Sequence, residues 1–111
     1  DMTSNQLSLT ADVLSVGPLR TNPTGQPSVE LQLWHASEVT EGGSTRQLSF
    51  PLMAKAVGEA ASALARLSAQ SRIHCKGFVA PRFAARHPDS ALAQRPGGLI
   101  FHITSFQTEK P

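Results

Sequence analysis

Arg82, Arg86 and Arg95 fall within one stretch, Pro81 to Gly98, that also carries Phe83 and is interrupted by Pro88, Pro96 and Gly97. A guanidinium is a permanent cation whose planar fork fits a phosphate and whose face stacks on a flat ring. Phe83 could add a stacking surface beside these cations, or it could tuck the stretch down against the domain. Elsewhere the cations Arg46, Arg20 and Lys76 and the sole tryptophan, Trp34, suit the same chemistry. This is the pattern of a site for a polyanion bearing flat groups. A solvated, solubilising surface uses basic loops as well.

Bond-making chemistry has little to draw on. His35, His74, His87 and His102 show no metal-ligand spacing, such as two histidines four apart with a glutamate between them. His35 and His102 read as structural or surface groups. Cys75 is the only cysteine, which excludes an internal disulfide and a thiolate cluster, and it reads as a small core residue. No nucleophile elbow, P-loop or dinucleotide fingerprint occurs. Glu38 and Glu41 flank a hairpin tip as a solvated edge. An enzyme is not expected, nor is any cofactor or metal.

The elements that must carry these residues follow from periodicity. Leu7, Leu9, Ala11 and Val13 alternate with polar neighbours, the mark of a half-buried strand. Asn22-Pro23-Thr24-Gly25 forms a turn, since Pro presets φ and Gly tolerates a positive one. Val29, Leu31 and Leu33 then alternate with Glu30, Gln32 and Trp34 as a second strand, which turns Trp34 away from the core. Thr40 to Ser44 is a glycine-bearing hairpin tip, and a third strand runs from about Arg46 to Met53. Alanine and leucine favour a helix over Gly58 to Leu67, with Glu59 at its positive end and Arg66 at its negative end. Ile73 to Val79 makes a fourth strand, with Lys76 outward. A long loop covers Pro81 to Gly98, and Leu99 to Ile103 opens the fifth strand, continuing to Phe106. Three strands, a helix and two strands is the layout of the five-stranded OB barrel, an all-β fold with one short helix between strands three and four. One such domain is expected over 5–107, with short termini at 1–4 and 108–111. OB folds commonly grip oligonucleotides between the loop joining strands four and five and the open face of strands two and three.

The net charge of +2 conceals an asymmetry: residues 1–65 carry −3 and residues 66–111 carry +5. A basic half facing a mildly acidic one again suggests a polyanion-binding face. No apolar run approaches the ~18 residues of a membrane span. The N-terminus lacks a basic segment followed by an apolar run. A reducing, cytoplasmic setting without membrane contact is expected. Asp1, ahead of Met2, reads as an appended residue and is left out of fold reasoning.

Particular residues carry a family likeness. Asn5 to Leu9, Pro18-Leu19-Arg20 and Pro23-Thr24-Gly25-Gln26-Pro27 resemble the first strand and the approach to the second strand in bacterial single-stranded-DNA-binding proteins. The likeness to the primosomal replication protein N family is closer. It rests on His35 with Ser37, on Arg46-Gln47 at the hairpin exit, on Gly77-Phe78, and on His102, and it spans about residues 5–107. Ser44 and Ser49 stand where such relatives carry aromatics, and Thr21 and Ala36 where they carry cations. General single-strand binders continue into a long tail with an acidic end, whereas this chain stops at Pro111, which favours the primosomal branch. The resemblance implies a homodimer that binds single-stranded DNA and works in replication restart with the primosomal helicase, other primosome proteins and single-stranded-DNA-binding protein. Alternatives are a general, tetrameric single-strand binder and an OB-fold protein-interaction module with little DNA binding. On the leading reading Trp34 either stacks on a base, worth about 1–3 kcal/mol, or packs in the dimer interface.

Overall fold

A computed structural model describes residues 3–82 and 98–109. The strands are β1 (Leu7–Val16), β2 (Arg20–Thr21), β3 (Pro27–Glu41), β4 (Ser44–Val57), β5 (Arg72–Pro81) and β6 (Leu99–Thr108), with one helix, α1 (Glu59–Leu64), between β4 and β5. Antiparallel pairing joins β1 to both β3 and β5, β3 to β4, and β5 to β6. A parallel pairing of β4 with β6, Ala54 opposite Phe101 and Lys55 opposite His102, closes the cylinder. This five-strand closure is the OB barrel that the element order implies. The two-residue β2 pairs with the start of β3 and is additional to it.

Alternation fixes which side chains enter the barrel, because successive residues of a strand point to opposite faces. Val13, Val29, Leu31, Leu33, Ile73, Cys75, Phe101 and Ile103 fill the interior. Full burial of each such large side chain contributes about 1.5–3 kcal/mol. Ala61 and Leu64 of α1 join the same core, so the helix closes the barrel with its apolar side. It is shorter than its composition suggests. Arg66 and Leu67 donate to Ala63 and Leu64 three residues back, in tighter turns, and the helix ends before Arg66 can face its negative pole.

Turns and family motifs acquire physical reasons. The Asn22 carboxamide oxygen accepts from the Thr24 and Gln26 amides at 3.1 and 2.9 Å, and Gly25 has φ +86°. At the β3–β4 tip, Gly42 and Gly43 both take positive φ, which a tight two-residue hairpin requires. Buried His35 donates from Nδ1 to the Thr10 carbonyl at 2.7 Å, tying β3 to β1. Its Nε2 meets the Ser37 hydroxyl at 2.8 Å, which accounts for the His-x-Ser pattern. At the hairpin exit, Gln47 donates to Glu38 at 3.0 Å.

Burial pushes the Cys75 thiol from 9.0 up to about 11. A folded pKa above the unfolded one contributes stability that is present below about pH 9 and lost as pH rises toward 11. Urea unfolding at about pH 8 and about pH 10 should therefore show a decline at the higher pH, and Cys75→Ala should flatten it.

Candidate nucleic-acid interface

The outward residues of β3 and β4 form one surface through their register: Glu30 faces Lys55, Gln32 faces Met53, and Trp34 faces Pro51. Beside it Arg20 on β2 pairs with Ser28. Arg20, Ser28, Glu30, Gln32, Met53 and Lys55 line a groove of about 370 Å³. Arg82, at the end of β5, reaches the same place, with its guanidinium 3.3 Å from the Glu30 carboxylate. Arg82 thus engages the carboxylate of a groove that Arg20 and Lys55 also line. Arg82 also donates its backbone amide to Gly98 at 2.7 Å, so the two residues that bracket 83–97 are held together beside β3. Phe83, Arg86 and Arg95 lie outside the described residues.

Trp34 is outward and 37 % exposed, four residues along β3 from Glu30, roughly 13 Å at strand rise. Asp12 is its neighbour on β1. Arg72 donates to Asp12 at 2.9 Å and lies 3.8 Å from Glu109, and Trp34 shares a surface cavity with all three. The hydrogen bond to Asp12, then its charge and that of Glu109, hold the Arg72 guanidinium protonated above its ordinary range.

Two of the sequence-named cations are placed elsewhere. Arg46 faces Val39 on the other side of the hairpin from Trp34, nine residues and roughly 30 Å along β4 from Lys55, and pairs with Glu41 at 3.1 Å. Lys76 is outward on β5 but lines a depression with Ser8, His74 and Ser105, away from the Arg20 groove. Conversely, Glu30, Lys55 and Arg72 belong to the site without having been singled out from the sequence. For Glu30 and Lys55 the available signal was their place in the alternation, opposite buried Leu31 and buried Ala54 and Ala56.

On the next strands round the barrel, Phe78 and His102 are cross-strand partners whose rings stack with centroids 4.8 Å apart and planes 8° apart. Burial, and then the charge of Lys55, push the His102 imidazole below its ordinary range. Among the described residues, no group of three or more His, Cys, Asp or Glu could hold a metal ion. No helix among them is long and apolar enough to cross a membrane.

A closed OB barrel whose outer β3–β4 face carries a cationic groove, with an exposed tryptophan further along β3, defines the class of protein. The family described as "another single-strand binding protein family" matches residues 5–105, and the chain belongs to it. Within it the chain is similar to the replication restart protein PriB of Bordetella pertussis, 40% identical over 77 residues, which is 69% of this chain and 72% of that one. The PriB of Bordetella parapertussis matches equally. A crystallographic PriB from Ralstonia solanacearum superposes with a TM-score of 0.79 at 26% identity, covering 97% of this chain and all of that one. The single-stranded DNA binding protein of Thermus aquaticus shares the fold, with a TM-score of 0.69 at 15% identity over 96% of this chain and 50% of its own. The likeness to the primosomal family, read from His35 with Ser37, Arg46-Gln47, Gly77-Phe78 and His102, is matched at the level of the chain by these PriB relatives.

Proposed function

We propose that this protein binds single-stranded DNA during replication restart and makes or breaks no covalent bond. The observation that carries the reading is the gathering of Arg20, Lys55 and Arg82 on the face that also bears Trp34. Cations track phosphates and aromatic faces stack on bases, which gives binding without sequence preference. Arg86, Arg95 and Phe83, which lie in sequence between Arg82 and Gly98, serve the same strand as further cations and a further ring. Arg46 and Lys76 make outlying phosphate contacts. The name of the Bordetella relatives, replication restart protein PriB, supports the replication-restart setting. In that setting the protein acts as a homodimer that bridges the strand to the primosomal helicase, alongside other primosome proteins and single-stranded-DNA-binding protein.

Glu30 favours a second reading, a protein-interaction module, because it sets a carboxylate where phosphates would pass and engages Arg82. Glu30→Gln separates the two. Removing a like charge a few ångströms from phosphates and releasing Arg82 should tighten oligo-dT binding about three- to tenfold at low salt, measured by polarisation of labelled DNA. A protein-interaction module would give no polarisation change with either form.

A further inference from the structure

The outward residues Glu30, Lys55, His102 and Phe78 are register partners on β3, β4, β6 and β5 in turn, so they form one band around the barrel. Three strand spacings, roughly 14 Å, separate its ends. At the far end the Phe78–His102 stack opens onto a cleft of about 450 Å³ that Val57 and Glu59 also line. Phe78 stays 37 % exposed and Val57 42 %, although either could have been a polar residue at no cost to the core.

We propose that this cleft is a second base-binding subsite, in which an unpaired nucleobase packs against the exposed Phe78 ring beside His102. The inference rests on the single-stranded-DNA reading and deepens it. Three features choose a base as the occupant. The two rings lie parallel, which presents a flat face rather than the interlocking relief of an apolar protein contact. Lys55 stands beside His102 on the groove side, where it can take the phosphate that precedes the stacked base. Glu59 lines the cleft itself and repels phosphate, so the cleft admits a neutral base while the backbone stays by Lys55 outside it. With Trp34 beyond Glu30, the strand would have a stacking platform on each side of the cationic groove.

Phe78→Leu retains apolar bulk but removes the flat face, and Phe78→Tyr retains both. Phe78→Leu should weaken binding of a labelled oligo-dT about tenfold, and Phe78→Tyr should stay within about twofold of wild type. Urea unfolding establishes that each variant is folded. Independently of any variant, the ring protons of His102 in the wild-type protein should shift in NMR spectra as oligo-dT is added, because a base against Phe78 alters the ring currents beside His102. Wild-type affinity in a folded Phe78→Leu, or His102 resonances unmoved at saturation, overturns the subsite and leaves the groove reading standing. A wild-type protein that does not bind oligo-dT at all overturns both.

Discussion

Gly77→Ala should destabilise the fold by more than about 3 kcal/mol, lowering Tm by more than roughly 12 °C in thermal unfolding. A Cβ at Gly77 would lie 1.7 Å from the His102 carbonyl oxygen, 2.8 Å from its carbon and 3.1 Å from the Ile103 Cα. All three are backbone atoms, so no rotamer change relieves the clash. Separation of β5 from β6 would be needed, at the irregularity where their register shifts between Lys76 and Gly77. β6 is also the strand that closes the barrel against β4, so the damage spreads to both seams. The absence of a side chain at 77 therefore matters through space rather than through φ.

Arg20→Ala combined with Lys55→Ala should produce the largest loss of DNA affinity among simple variants, and the loss should depend on salt. Each phosphate neutralised on a single strand contributes about −0.7 to the log–log salt slope, so losing two makes the slope shallower by about 1.4. The same relation gives a factor of about eight per cation at 50 mM salt, hence roughly sixtyfold for the pair, falling to about tenfold at 200 mM. Arg20 and Lys55 make no ion pair among the described residues and both line the groove, so their removal should leave the fold intact. A uniform loss at both salt concentrations would instead indicate damage to the barrel.

The sequence made the barrel legible wherever a strand has one wet face and one dry face. Leu7 to Val13, Val29 to Trp34 and Ile73 to Val79 alternate because their inward members touch the core. Beyond Ser37 the pattern fades, since the β3–β4 hairpin leaves the barrel and is largely wet on both sides, and so β3 runs to Glu41, past the end that alternation marks. A pairing as short as Arg20–Thr21 has no period to detect. Composition carries the helix on to Leu67, but Arg66 and Leu67 bond three residues back, as tighter turns. The site was legible only in pieces. Arg20, Trp34 and Arg82 stand out as cations or aromatics on their own, whereas Glu30 and Lys55 become notable only through the β3–β4 register. What brings Arg82 to Glu30 is barrel closure, a contact across 52 residues of sequence that no local pattern encodes.

Whether the strand lies across β3 and β4 is decided by titrating the wild-type protein and the Arg20→Ala, Lys55→Ala variant with labelled oligo-dT at about 50 and about 200 mM salt. Polarisation of the DNA and fluorescence of the sole tryptophan are followed together. Wild-type binding should weaken steeply with salt, the variant should show a shallower dependence, and the Trp34 signal should change in step with polarisation. Polarisation that stays flat for the wild-type protein at low salt, or that rises while Trp34 is silent and the variant binds as tightly as wild type, would contradict a strand lying across β3 and β4.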